Sequence, residues 1–302
     1  MSRSHENADV HALMEAPLAA QREVLAGWGL AEAGLLILMS RCLGRCFFCA
    51  QRVVTDPPPA LITRWDTVSA WLDGNRALGV ERLCLGGTEP PTHPDFYRTL
   101  ERAREVGFTA VELMTSAVQL AHPVIVQRWW DHGVRAICAP IYGASAAEHD
   151  RIVQVQGHWD RLVRGLDLAR SRGMALHLHT LGLRRTLDAL PGLARYTGER
   201  WGARLTVAPL RPKDMFDYRA EAVGFDALTA ALADADVSLV GLPSCVLPDK
   251  PRGAPLLIEV YFRGQRTVYA DACAGCAARA GCPGLVAMHE QVHGGAGLTP
   301  AR

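Results

Sequence analysis

Short apolar runs alternate with amphipathic stretches between residues 34 and 210. Most of the apolar runs have the length of strands and too little polar alternation to face water, which is typical of parallel strands covered by helices. Strands are predicted at 34–39, 80–85, 110–114, 134–141, 174–183 and 204–210. Amphipathic helices are predicted between them at 68–78, 94–106, 123–132, 158–172 and 187–201.

A glycine directly after each of these helices marks its predicted end. The five are Gly79, Gly107, Gly133, Gly173 and Gly202. Glycine fits there because helices often end on a residue in the left-handed conformation, which costs glycine little. Six strands with intervening helices predict an α/β fold, a partial (β/α)6 TIM-like barrel, with functional residues at the carboxyl ends of the strands.

Three regions are predicted along the chain. Residues 1–33 form an N-terminal helical extension, with helices at 10–15 and 17–26, that is too short for a core of its own. Residues 34–240 form the (β/α)6 core. Residues 241–302 form a small C-terminal cysteine-rich hairpin domain, whose two strands are predicted at 256–262 and 267–270.

The composition excludes several classes of protein. The chain has 302 residues, 49% of them hydrophobic, with 32 basic and 31 acidic residues. This balance gives no general attraction for a polyphosphate backbone, so no nucleic-acid partner is expected. No apolar run reaches the roughly 18 residues of a membrane helix, so no membrane partner is expected. The first 30 residues lack the layout of a secretory signal, so the expected location is the cytoplasm.

Nine cysteines are unusual for a chain of this kind. Disulfides are rare in a reducing compartment, so clustered cysteines indicate a metal site or catalysis. Cys42, Cys46 and Cys49 directly follow the first predicted strand, where the chemistry of such a barrel belongs. Three thiolates in one loop suit an iron–sulfur cluster with one open iron, whereas a structural zinc site more naturally shows four ligands. Cys84 and Cys138 lie within apolar strands and are predicted to pack as small hydrophobic residues.

The spacing Cys-x3-Cys-x2-Cys, with the aromatic Phe48 before the last cysteine, resembles the signature of the radical S-adenosylmethionine (SAM) superfamily. The segment Gly86-Gly87-Thr88-Glu89-Pro90 resembles the GGEP motif of that family, with threonine in its third position. The resemblance covers about residues 34–240. It implies a partial barrel, a [4Fe–4S] cluster, and SAM bound through its amino and carboxylate groups at the open iron.

The resemblance also implies roles for single residues. Cys42, Cys46 and Cys49 would hold the cluster that cleaves SAM, and Phe48 would lie near the adenine. The further residues implied to bind SAM are Gly86, Gly87, Thr88, Glu89, Ser116 and Arg151. The two glycines would let the backbone approach the methionine amino group, while Glu89 would order the turn or reach the same ammonium. Both residues also have a purely structural interpretation. Ser116 would cap the turn after its strand, and Glu89 would be part of a plain strand-to-helix turn.

The second cysteine group resembles the auxiliary-cluster domain of peptide-modifying radical SAM relatives, in a short form. Cys273, Cys276 and Cys282 are implied ligands, and Cys245 is the natural fourth. Four cysteines would saturate a second [4Fe–4S] cluster; without Cys245, its open iron would be free for substrate. A four-cysteine zinc site is compatible with the same spacing.

The function implied is reductive cleavage of SAM to a 5′-deoxyadenosyl radical, which takes hydrogen from a substrate carbon. A flavodoxin- or ferredoxin-type protein is the expected reductant. The stretch His149-Asp150-Arg151 after the fourth strand resembles the segment that peptide-modifying relatives carry at the same place, which favours a peptide substrate. Three alternatives stay open: a small-molecule substrate, an activase for a partner enzyme, and a non-catalytic iron–sulfur or zinc protein that senses redox state.

Overall fold

Parallel strands alternate with helices through most of the chain, as the sequence predicts. The computed structural model describes residues 18–27, 33–38, 41–49, 62–210, 215–252 and 267–302. Contacts divide the chain into two compact units. One, the N-terminal unit, contains the described residues of 11–140 and 145–177, and the other, the C-terminal unit, contains 141–144 and the described residues from 178 onward.

Seven strands form one parallel sheet in which the strand order follows the chain. They are β1 (Ala33–Leu38), β2 (Arg82–Gly87), β3 (Ala110–Met114), β4 (Val134–Pro140), β5 (Ala175–Gly182), β6 (Leu205–Pro209) and β7 (Val237–Leu239). Consecutive side chains of β1 and β2 are buried, as expected for strands covered on both faces. The predicted α/β class and strand–helix array are therefore confirmed.

Helices connect these strands and follow them. Among the described residues they are α1 (Leu18–Gly27), α2 (Trp65–Ala77), α3 (Phe96–Val106), α4 (Pro123–Asp131), α5 (Ala146–Val153), α6 (His158–Arg172), α7 (Leu190–Trp201), α8 (Met215–Glu221), α9 (Phe225–Leu232) and α10 (Ala287–His293). All five glycines predicted to end helices have a positive φ, between 64° and 98°. None of the helices in the described part of the chain is both long and apolar enough to cross a membrane.

Two details of the predicted sheet are wrong. The prediction of six strands misses β7, which pairs with β6 through Val207 and Leu239. Its three residues are too few to produce a periodic signal. The second strand also extends two residues further than predicted, because Gly86 and Gly87 pair with Ile37 and Leu38 of β1 although glycine is a poor strand former.

The C-terminal region contains a second, two-stranded sheet. Strands β8 (Thr267–Val268) and β9 (Leu285–Val286) pair in antiparallel register. The predicted strand 256–262 lies outside the described residues, and so does the predicted helix 10–15. The domain boundaries at residues 33/34 and 240/241 stay a prediction.

Candidate functional site

The cysteine loop, residues 41–49, follows β1 and carries the first cysteine group. A Cβ built on Gly44 would lie 3.6 Å from the Sγ atom of Cys46 and 4.0 Å from that of Cys42. The Gly44 N–H donates to Cys42 Sγ at 3.4 Å. Burial raises the pKa of the Cys42 thiol to about 11, and the charges of Glu89 and Cys49 add to that rise. The three thiols thus lie on one short loop, with Gly44 beside both Cys42 and Cys46.

The cysteine loop is tied to the glycine turn, residues 86–92, by one side chain. The Thr92 hydroxyl lies 2.5 Å from the carbonyl oxygen of Arg41 and 2.9 Å from that of Glu89. The end of the turn forms a short 3-10 helix, Pro90–Thr92. The cysteine loop and the turn that resembles the family motif are therefore held side by side.

Gly87 is the residue of this turn that no other amino acid can replace without strain. Its φ is +134°, a conformation that essentially only glycine adopts. A Cβ at this position would lie 2.0 Å from the carbonyl oxygen of Leu38, the last residue of β1. Close backbone approach between β1 and β2 thus requires glycine here.

Glu89 has its carboxylate turned into the protein. Its Oε1 accepts a short hydrogen bond from the Thr115 hydroxyl, and its Oε2 accepts from the Ser116 N–H at 2.8 Å. Burial raises the pKa of Glu89 above its usual range, although these two donors act in the opposite direction. The carboxylate thus joins the turn after β2 to the segment after β3, which supports the ordering role considered from the sequence.

The residues around the loop fit an iron–sulfur cluster and SAM. Three soft thiols come from one short segment, which is the donor set such a cluster requires. The Ser116 hydroxyl oxygen is buried beside the Glu89 carboxylate, so a further polar group lies next to the glycine turn. Among the described residues, no three His, Cys, Asp or Glu side chains are already arranged to hold a metal ion, so the fit lies in the chemistry of the donors and not in a preformed cage.

A sequence model of the radical SAM superfamily matches residues 36–197, more than half of the chain. The chain belongs to the radical SAM superfamily. Membership implies a [4Fe–4S] cluster and SAM. The match includes the cysteine loop, the glycine turn and Ser116, so it agrees with the resemblance read from the motifs.

Three curated relatives are similar in sequence to part of this radical SAM chain. An AdoMet-dependent heme synthase of Methanosarcina barkeri is 26% identical over 51% of this chain and 43% of its own. A GTP 3',8-cyclase of Bradyrhizobium diazoefficiens is 28% identical over 55% of this chain and 49% of its own. A PqqA peptide cyclase of Ruegeria pomeroyi is 28% identical over 58% and 46%. The chain spans about half the length of these relatives.

Solved structures confirm the partial-barrel fold of the radical SAM protein. SuiB of Streptococcus suis, bound to the precursor peptide SuiA, superposes with a TM-score of 0.53 at 14% identity. That match covers 73% of this chain and 52% of SuiB. The anSMEcpe protein with bound AdoMet and a peptide gives a TM-score of 0.55 at 12% identity, over 66% of this chain and 57% of its own.

The three remaining residues predicted to bind SAM, Phe48, Thr88 and Arg151, lie on separate elements of this radical SAM protein. Phe48 packs edge-to-face on Phe47, with ring centroids 5.4 Å apart, in the turn that ends the cysteine loop. Thr88 is half-buried at the end of β2. Arg151 lies on the exposed side of α5. That helix contacts the cysteine loop through its backbone, since the Arg45 N–H donates to the Val153 carbonyl at 2.9 Å.

A buried histidine pair holds α5 against α6. His149 Nε2 and His158 Nδ1 are 3.0 Å apart, and both residues are almost fully buried. Asp150 accepts from the N–H groups of Gly157 at 2.6 Å and Trp159 at 2.8 Å, which caps the start of α6. The stretch that resembled peptide maturases thus has a structural role in the N-terminal unit.

The buried histidine pair predicts that the free energy of unfolding decreases as the pH is lowered. Burial lowers the pKa of both His149 and His158, and their mutual repulsion lowers that of His149 further. Below the ordinary imidazole pKa of 6.5 the unfolded chain therefore binds more protons than the folded chain, and the free energy of unfolding decreases as pH falls. Each imidazole contributes a slope of up to about 1.4 kcal/mol per pH unit.

Urea unfolding of the wild type and of the His149→Gln, His158→Asn double variant between pH 7 and pH 5 measures this slope. Glutamine and asparagine place neutral amide groups near the two imidazole nitrogens without titrating. The double variant should lose less stability per pH unit. Equal slopes in the two proteins would contradict the assignment.

The C-terminal cysteines line one cavity within the other unit. Its volume is about 270 Å³, and its walls include Cys245, Cys273, Cys276 and Cys282. Burial raises the pKa of Cys273, and the charges of Cys245, Cys276 and Cys282 raise it further, so Cys273 lies near each of the other three. Two hydrogen bonds join residues 299–301 to the segments that carry these cysteines. The Thr299 hydroxyl donates to the Cys245 carbonyl at 2.8 Å, and the Ala277 N–H donates to the Ala301 carbonyl at 2.9 Å.

Several residues that build the site carry weak sequence signals. Thr92 and Thr115 are ordinary hydroxyl residues, and their roles depend on which strands end beside each other.

The start of α5 carries a stronger sequence signal, because Ser145 and Glu148 have the spacing of a helix N-terminal capping pair. The Glu148 N–H approaches the Ser145 hydroxyl at 3.4 Å, at the start of α5.

Proposed function

We propose that this chain is a radical SAM enzyme that holds a [4Fe–4S] cluster on Cys42, Cys46 and Cys49. One observation carries the proposal: the cysteine loop and the glycine turn are held together through Thr92. The three thiols leave one iron of a cubane without a protein ligand, which is the position for SAM. The match to the superfamily over 36–197 supports the same assignment.

When bound, the cluster and SAM supply a 5′-deoxyadenosyl radical that takes a hydrogen atom from a substrate carbon. The chain's own residues hold and orient these groups. The three cysteines bind iron as thiolates, and each therefore gives up its proton on binding. Gly87 keeps the end of β2 close to β1, and Glu89 fixes the turn through Thr115 and Ser116. The Ser116 hydroxyl, buried beside Glu89, is proposed to contact SAM.

A peptide is the proposed substrate. The PqqA peptide cyclase among the relatives supports this class, at 28% identity over 58% of this chain. Coexpression with short candidate peptides, followed by mass spectrometry, tests it. A mass change that requires intact Cys42 supports a peptide substrate. If purified enzyme instead modifies a small molecule and no peptide, this part of the proposal is wrong while the assignment of SAM cleavage stands.

The C-terminal cavity is proposed to hold a second [4Fe–4S] cluster, ligated by Cys245, Cys273, Cys276 and Cys282. Four thiols from separate segments around one cavity support a fully ligated cluster rather than one with an open iron. A site of this kind accepts or passes an electron but offers substrate no free iron. A four-cysteine zinc site has the same donor set, so metal analysis must separate the two.

Anaerobic reconstitution with iron and sulfide, metal counting and a SAM-cleavage assay with dithionite test the whole proposal. About eight irons per chain are expected for two cubane clusters, and 5′-deoxyadenosine should form in the presence of SAM. About four irons with retained zinc would contradict the auxiliary cluster alone. A protein that binds iron yet forms no 5′-deoxyadenosine would contradict the enzyme and favour a redox sensor.

Replacing Cys273, Cys276 and Cys282 with alanine should separate the two metal sites. The variant should lose about four irons, because one remaining thiol cannot hold a cluster. SAM cleavage without substrate should persist, since the cysteine loop belongs to the other unit. Conversion of substrate to product should fall at least about tenfold. Normal product formation by this variant would show that the second cluster is dispensable.

A further inference from the structure

Arg252 connects the edge of the parallel sheet to the segment that carries Cys245. Its backbone forms an isolated parallel bridge with Leu239 of β7, and the Leu239 N–H donates to the Pro251 carbonyl at 2.9 Å. Lys250 adds a second tie, because its ammonium donates to the Ala235 carbonyl at 2.6 Å. The backbone at residues 250–252 is thus fixed beside the residues that lead into β7.

The guanidinium of Arg252 holds the Cys245 segment. Its Nη2 donates to the carbonyl of Ser244 at 3.3 Å, to that of Leu247 at 3.1 Å, and through a shorter bond to that of Val246. These residues flank Cys245 on both sides. Leu247 has a φ of +51°, which is unfavourable for a non-glycine residue, so the tight turn needs such support.

The same guanidinium places a positive charge beside Cys245, because it binds the carbonyls of Ser244 and Val246 on either side of that residue. Burial lowers the pKa of Arg252, while the charges of Cys245 and Cys282 raise it, which agrees with this placement. Reduction of an iron–sulfur cluster by one electron adds one negative charge, and a nearby cation stabilises the reduced form more than the oxidised form.

We propose that Arg252 raises the reduction potential of the cluster held by the C-terminal cysteines and positions Cys245 as its fourth ligand. This inference rests on the proposed auxiliary cluster. It identifies Arg252 as a positioning and charge-setting residue that lies outside both cysteine motifs. The consequence is an auxiliary cluster that accepts an electron more readily than its four thiolates alone would allow.

The potential of the auxiliary cluster alone gives a direct test. In full-length protein with Cys42, Cys46 and Cys49 replaced by alanine, dithionite titration followed by electron paramagnetic resonance measures its midpoint. Arg252→Gln should shift the midpoint to a more negative value. Arg252→Lys should keep the midpoint close to that of the parent protein, because lysine retains the positive charge although it lacks the planar fork that binds several carbonyls. Arg204→Gln is the matched control, since Arg204 pairs with Asp236 at the surface.

Each result decides the inference. An unchanged midpoint in Arg252→Gln, or equal shifts in the glutamine and lysine variants, would overturn the charge effect. If Arg252→Gln fails to retain iron, the lysine variant at rising ionic strength replaces it. A midpoint that falls as salt screens the cation supports the proposal, and a constant midpoint overturns it. A parent protein that binds zinc or no iron would overturn the auxiliary cluster itself.

Discussion

Replacing Cys42 with alanine should abolish SAM cleavage and lower the iron content from about eight to about four per chain. The reason is geometric, because the three thiols belong to one loop and two of them cannot retain a cubane cluster. Cys42 is also the cysteine whose sulfur accepts the Gly44 N–H, so its loss removes a contact that shapes the loop. Iron analysis and chromatographic detection of 5′-deoxyadenosine measure both effects.

Cys138→Ala provides the matched control for this experiment. Cys138 is fully buried in β4, so its removal costs a small core contact and leaves the cysteine loop intact. This variant should keep its full iron content and its rate of SAM cleavage. If Cys42→Ala formed 5′-deoxyadenosine at the wild-type rate, the cysteine loop would not be the reactive site.

Replacing Gly87 with alanine should destabilise the N-terminal unit by about 4 kcal/mol. The new methyl group would lie 2.0 Å from the Leu38 carbonyl oxygen, and backbone pairing between β1 and β2 prevents the two strands from separating. Backbone strain at a φ of +134° adds to the overpacking. SAM binding should also be lost, because the displaced turn carries Glu89. Thermal unfolding and SAM binding by calorimetry check the two expectations.

Gly79→Ala separates backbone strain from the clash. Gly79 also has a positive φ, +79°, but a Cβ there would meet no atom within 4 Å. Its replacement should cost only about 1–2 kcal/mol, the strain of a left-handed residue, and should leave SAM binding unchanged. Similar losses in the two variants would contradict a specific close approach at Gly87.

Local signals predict the parts of the fold that local physics determines. The five helix-ending glycines were predictable because each needs a left-handed residue at a position where an amphipathic pattern stops. The cysteine loop is predictable because its three cysteines are close in sequence. In contrast, β7 is only three residues long, and α5 was missed although Ser145 and Glu148 mark its start.

The contacts that join separate loops lie beyond sequence reasoning. Glu89 was recognised as a residue of the turn, but its acceptor role depends on Thr115 and Ser116, which the chain reaches only after another helix and strand. Arg252, which binds the carbonyls on both sides of Cys245, likewise lies in neither cysteine motif. Such partners are set by the register of neighbouring strands and by loop packing.

The Thr92 hydroxyl has one hydrogen atom and two nearby carbonyl acceptors. The Arg41 carbonyl is the closer of the two to the hydroxyl, while the Glu89 carbonyl also accepts the Thr92 N–H at 2.9 Å. Thr92 therefore belongs to both segments at once. A displacement of either the cysteine loop or the glycine turn is transmitted to the other through this one residue.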